Sequence, residues 1–110
     1  MTVEQVVESI ETIVNRETLR NIEAVDASGG LPTIRVDLHG LAVREAKRLI
    51  SNIIAMTPFP FVLDLIHGYH RGTAIKDMIQ EEKLSYRITS RQCLEKNPGR
   101  TLLNVGVRYA

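Results

Sequence analysis

The stretch TIRVDLHGLAVREAKRLISNIIAMTPFPFVLDLIHG, residues 33–68, decides the fold. Its first seven residues alternate with period two. Ile34, Val36 and Leu38 share one face while Arg35, Asp37 and His39 share the other, which is the pattern of a strand. Gly40 ends it. From residue 42 to 56 the spacing changes to three and four, through Val43, Ala46, Leu49, Ile50, Ile53 and Ile54, with Arg44, Lys47 and Arg48 outward. That is an amphipathic helix. A loop, Thr57-Pro-Phe-Pro60, leads to Phe61-Val-Leu-Asp-Leu-Ile66, a nearly unbroken apolar run expected of a strand buried on both faces. Strand, helix and strand in this order imply parallel pairing across a crossover.

Working outward, the loop Tyr69-His-Arg-Gly-Thr73 leads into a third helix carrying Ala74, Ile75, Met78 and Ile79, with Thr73 as its N-cap. A strand over about 86–94, a turn at Asn97-Pro-Gly99 and a last strand over 101–107 follow, and the final two pair as a hairpin. Upstream, Val3, Val6, Val7, Ile10, Ile13 and Val14 form a helical stripe, and Leu19 and Ile22 extend it to the low twenties. Ala27-Ser-Gly-Gly30 and Pro32 break it. The expected organisation is an N-terminal amphipathic helix and linker over 1–30, then an α/β domain over 31–110 with the order βαβαββ.

Composition narrows the class. At 110 residues, 44% apolar and 25% charged, the chain has room for one domain of ordinary globular make-up. No apolar run reaches the roughly 18–20 residues that span a bilayer, and the acidic start (MTVEQVVESIE) is unlike a secretory signal. One cysteine, Cys93, allows neither an intrachain disulfide nor a multi-cysteine zinc site. A cytoplasmic protein with no membrane partner is expected. Net charge is only +1, but it is unevenly spread: residues 1–30 carry −4 and residues 31–110 carry +5. A basic domain with an acidic appendage fits a polyanion such as RNA or DNA.

Both strand–helix units end their strands in His-Gly: Asp37-Leu-His39-Gly40 and Asp64-Leu-Ile-His67-Gly68. Parallel strands bring both to one sheet edge, where ligands of open α/β sheets bind. All three histidines, His39, His67 and His70, fall in these segments. Asp37 and His39, two apart, share a face, so the carboxylate can orient the imidazole. Asp64 has the opposite parity to His67 and is expected to be structural. The glycines of His67-Gly-Tyr-His-Arg-Gly-Thr73, Arg71, Lys76 and the ring of Tyr69 suit a nucleic-acid phosphate and its base. Arg100 is a lesser phosphate contact.

Asp-Leu-His-Gly-Leu (37–41), Glu45-Ala46, Ile66-His67-Gly68, Gly72 and Asn97-Pro-Gly99 with Thr101 resemble the Smr (small MutS-related) domain, in order, over about residues 33–108. The resemblance implies a two-layer βαβαββ sandwich, also similar to the C-terminal domain of translation initiation factor three. It implies a small stand-alone bacterial member of a family associated with DNA nicking or RNA cleavage, in some cases at ribosomes. Its Asp-x-His motif falls on Asp37 and His39, and its His-Gly-x-Gly motif on His67 to His70, where His70 replaces the second glycine. The expected catalytic residues are Asp37, His39 and His67; the expected phosphate contacts are Gly40, Gly68, Tyr69, His70, Arg71, Gly72, Lys76 and Arg100. In the leading expectation, an endonuclease, His39 is the base and His67 the acid, while N–H groups around Gly68 and Gly72, with Arg71, meet the charge. The alternative is a module that grips nucleic acid or a ribosomal surface without cutting. No cofactor is required, although Asp37, His39, His67 and His70 include donor types that hold Zn²⁺ or Mn²⁺. The N-terminal helix could dock on the domain, pair two protomers or recruit a protein partner.

Overall fold

The computed structural model describes residues 2–11, 22–25, 30–68, 74–94 and 97–107. Among these, three helices and five strands follow the order α1 (Val3–Glu11), β1 (Ile22–Val25), β2 (Thr33–Asp37), α2 (Val43–Met56), β3 (Phe61–Ile66), α3 (Ala74–Glu81), β4 (Ile88–Leu94) and β5 (Asn97–Val105). The strands make one mixed sheet in the order β1-β2-β3-β5-β4. β2 and β3 are parallel, and every other pairing is antiparallel.

The α2 stripe read from sequence is the one buried: Ala46, Leu49, Ile50, Ile53 and Ile54 face the sheet. At its start the Glu45 carboxylate accepts the Ala42 N–H at 3.3 Å, satisfying a donor the helix leaves open. At its end the Thr57 N–H bonds the carbonyls of Ile53 and Ile54, and Pro58 cannot continue the helix. Arg87, only 4% exposed, also reaches this end. Its Nη1 donates to the carbonyls of Ile54 at 2.6 Å and Thr57 at 2.7 Å, its Nη2 to Phe59 at 3.2 Å and its Nε to Gly106 at 3.1 Å. A buried guanidinium at the negative end of a helix dipole is well placed.

Two departures from the sequence expectation bear on the sheet, beside shifts of two residues at the start of β4 and the end of β5. The helical spacing places Ile22 in the N-terminal helix, but it begins β1 and lies opposite Val36, with Glu23 opposite Arg35. A Leu19–Ile22 step fits a helix locally. The open backbone edge of β2 offers residues 22–25 a ladder instead, and Ile22 is buried by taking it. The composition of Asn97-Pro-Gly99 predicts the hairpin turn, yet β5 already begins at Asn97, which pairs with Leu94 beside a register shift in β4. A proline is tolerated at such an irregularity near a strand start.

Helix α1 starts with a reciprocal cap: Gln5 N–H donates to Thr2 Oγ1 at 3.1 Å, and Thr2 N–H to Gln5 Oε1 at 2.8 Å. Val6 and Ile10, one turn apart and both buried, anchor it in the same core as α2 and α3. That core is completed from the sheet by Ile34, Val36, Leu38, Phe61, Leu63, Leu65, Leu103 and Val105. The helices therefore cover one face. On the other face Thr33, Arg35, Asp37, Val62, Ile66, Arg100, Leu102 and Asn104 stay half-exposed, so no described helix covers it. Among the described residues, no helix is long and apolar enough to cross a membrane.

Candidate functional site

The parallel pairing of β2 with β3 aligns Asp37 with Ile66, and the Leu38 N–H continues the ladder to the Ile66 carbonyl at 2.7 Å. Both strands therefore end at one edge, each followed by a glycine in the left-handed region: Gly40 at φ +87° and Gly68 at φ +73°. Glycine reaches this conformation without the Cβ penalty other residues meet there. The two ends are close: a Cβ built on Gly68 would lie 3.9 Å from the Cβ of His39.

Asp37 and His39 form a local pair. Asp37 Oδ1 accepts the His39 backbone N–H at 3.0 Å and stands 3.5 Å from the ring Nδ1. An Asx-type bond of this kind fixes the carboxylate and the histidine backbone together. The carboxylate is one-third exposed and the imidazole is 76% exposed, so Nε2 is open to a ligand.

His67 is placed differently. Ile66, not His67, is level with Asp37, and this offset of one residue sends the His67 side chain through to the helix-covered face. There it is buried, with Nδ1 2.9 Å from the Gly68 carbonyl and Nε2 2.9 Å from Thr101 Oγ1. A carbonyl only accepts, so Nδ1 carries a proton, and in the uncharged ring Nε2 accepts the Thr101 hydroxyl. Cys93 Sγ lies 3.8 Å from the same hydroxyl, and Gln80 Nε2 donates to that sulfur at 3.0 Å. The expected convergence of His39 and His67 on one substrate is thus corrected: they share an edge but occupy opposite faces. The Gly68 N–H is also committed, to the Gly99 carbonyl at 3.1 Å, which takes the His67 N–H as well at 2.8 Å. It is not free for an oxyanion.

On the open face the sequence reading found Arg100 and missed Arg35. Arg100 is level with Ile66, which is level with Asp37, so Asp37, Ile66 and Arg100 form one row across three strands. The next row holds Glu23, Arg35, Asp64 and Leu102. Asp64, expected to be structural, is buried beneath two arginines. Arg35 Nε reaches its Oδ2 at 3.0 Å, and Arg100 donates to Oδ1 from Nε at 3.2 Å and to Oδ2 from Nη2. Arg35 Nη1 also pairs with the exposed Glu23 at 3.0 Å. The hydrogen bond to Asp64 raises the Arg35 pKa, burial opposes it, and Glu23 adds to the rise. Period-two parity, which puts Arg35 beside Asp37, was the available signal for Arg35.

Lys76 lies in the first turn of α3, in the helix layer. Tyr69, His70, Arg71, Gly72 and the expected N-cap Thr73 lie outside the described residues. Among the described residues no three His, Cys, Asp or Glu side chains are grouped to hold a metal ion, and His67 is turned away from Asp37 and His39. No protein-family model matches the chain, and no curated protein matches it closely enough to count as a relative.

Proposed function

We propose that this chain is a small Smr-like domain that binds RNA and cleaves it by acid–base chemistry at Asp37 and His39. The reading rests on the DLHG and HG strand ends and on the element order from residue 33 onward. The observation that carries it is the 3.5 Å approach of Asp37 Oδ1 to His39 Nδ1 on an open face whose same row holds Arg100 two strands away. A carboxylate at Nδ1 favours the tautomer whose Nε2 is a base directed at solvent.

RNA is preferred to DNA because it brings its own nucleophile. His39 Nε2 takes the proton of a 2′-hydroxyl, the 2′-oxygen forms a bond to phosphorus, and the bond from phosphorus to the 5′-oxygen breaks. Water protonates that oxygen, leaving a 2′,3′-cyclic phosphate. Arg100, two strands away in the same row, holds the RNA backbone on this face rather than the reacting phosphate. His67 takes part as a positioning residue, holding the Gly68 turn against His39. Tyr69, His70, Arg71 and Gly72 complete the proposal as phosphate contacts, and Lys76 as a distant one. The substrate class extends to RNA on ribosomes, and the setting is cytoplasmic.

A second reading, a module that grips RNA without cutting it, is favoured by the removal of His67 from the open face, which leaves His39 as the one imidazole there among the described residues. His39→Ala separates the two. Proton transfer of this kind contributes about 10²–10⁴ in rate. Cleavage of end-labelled single-stranded RNA should fall by that factor while affinity changes less than threefold, and cyclic-phosphate ends should vanish. Equal cleavage by parent and His39→Ala would remove His39 from the reaction, and no cleavage by either with binding intact would leave the gripping module.

A further inference from the structure

The open sheet face holds more guanidinium donors than its architecture uses. Arg35 and Arg100 both lie on the single buried carboxylate of Asp64, whose side chain is 3% exposed. Asp64 and Glu23 together match the two guanidiniums in charge, so what the cluster offers an anion is its unused hydrogen-bond donors. Glu23 meets Arg35 only at the rim, where it is 60% exposed, and such pairs are weak. A guanidinium has five N–H donors. Each arginine spends two on carboxylates, leaving three that no described residue takes. Arg35 and Arg100 remain 36% and 28% exposed, so these donors meet solvent or a ligand.

Position connects this cluster to the dyad. Arg35 is two residues before Asp37 on the same face of β2, about 7 Å along the strand. Arg100 is in the Asp37 row, two strands away. Between and below them, Ile66, Val62 and Leu102 form a half-exposed apolar floor. This face is a sheet surface, unlike the protruding helix or ribbon that enters a duplex groove. A single strand can lie along such a face, with its phosphates on the arginines and its bases against the floor.

We infer that the open sheet face is a track for single-stranded RNA, on which Arg35 and Arg100, aligned by Asp64, hold phosphates flanking the one presented to Asp37 and His39. The inference rests on the RNA reading above and assigns its binding surface. Asp64 acts here as a positioning residue: it spreads the two guanidiniums side by side and thereby limits the rotamer freedom lost on binding. Because no aromatic side chain from a described strand joins the floor, binding follows the backbone with little base preference.

The test uses the full chain, a fluorescein-labelled twelve-nucleotide oligouridylate and anisotropy at several salt concentrations. Arg35→Gln and Arg100→Gln are each compared with Arg48→Gln, which removes the same charge from the exposed side of α2. Each single variant leaves Asp64 one arginine. If either unfolds, Arg35→Gln with Asp64→Asn removes the pair together and should weaken binding at least as much, because Arg100 also loses the carboxylate that positions it. Each sheet variant should bind about five- to tenfold more weakly, with the slope of log affinity against log salt reduced by about 0.7, one phosphate contact on a single strand. Arg48→Gln should change affinity less than twofold. Equal losses for Arg48→Gln and the sheet variants, or unchanged binding by the sheet variants, would overturn the track. If the parent binds no RNA, the track and the proposed function fall together. If the sheet variants lose binding as expected but His39→Ala still cuts, the track stands and the proposed chemistry falls.

Discussion

Arg87→Met is the substitution on which the packing account is most exposed. Methionine retains much of the buried stem's apolar volume and removes the guanidinium. Four carbonyls then lose a donor, those of Ile54, Thr57, Phe59 and Gly106. Two of the bonds are part-buried, and water can replace the donor there at small cost. The other two, to Ile54 at 2.6 Å and Thr57 at 2.7 Å, are buried. Hydrogen bonds to charged groups contribute about 1.5–3 kcal/mol each. Taking about 2 kcal/mol for each of the two buried bonds gives a loss of about 4 kcal/mol, against a total stability of about 5–15 kcal/mol for a domain. For 110 residues, at about 2.1 cal/mol/K of unfolding entropy per residue, the midpoint should fall by about 15–20 °C. Arg87→Lys, with one compact ammonium, should recover about half of this. Thermal and urea unfolding followed by circular dichroism measure both, with the urea m-value unchanged. A midpoint within about 5 °C of the parent for Arg87→Met would refute the reasoning, because the α2 end would then be held by something other than these carbonyl contacts. Arg87 contacts the end of α2, away from the Asp37 edge, so the folded fraction of either variant should bind RNA as the parent does.

Thr101→Val keeps the shape of a fully buried residue and removes the hydroxyl from His67 Nε2. It should cost about 1–3 kcal/mol in urea unfolding, with RNA cleavage per folded molecule within threefold of the parent; a hundredfold loss of cleavage would return His67 to the reaction itself. Ile10→Ala opens a cavity where α1 meets the core and should cost about 2–4 kcal/mol. A change below about 0.5 kcal/mol would mean that α1 does not dock on its own domain in solution.

Much of this protein is legible from one-dimensional pattern. Period two at Ile34, Val36 and Leu38, and the three-and-four spacing from Ala46 to Ile54, identify β2 and α2 because each face must meet either core or water, and both of the expected faces are buried. The apolar run at 61–66 likewise identifies β3, although Asp64 in its midst is buried for a reason no window of sequence contains. That reason is two arginines, 29 and 36 residues away in the chain. The Asp37–His39 pair is equally local, a matter of two residues on one strand face. β1 was not legible: four residues with one helical step before them join a sheet only because β2 presents an unpaired edge. Nor was the clasp of Arg87 on the end of α2, since three of its four carbonyl partners lie 28 to 33 residues away.

The division falls most clearly at the two histidines. That His39 and His67 end their strands, and that parallel strands bring them to one edge, follows from pattern alone. Alternation alone places His39 on the polar face of β2, but the face His67 takes depends on the register between β2 and β3. With Asp37 level with Ile66, His39 remains on the open face with Arg35 and Arg100, and His67 turns inward to Thr101. Side chains alternate strictly along a strand, so a register different by a single residue would have put both histidines on the same side.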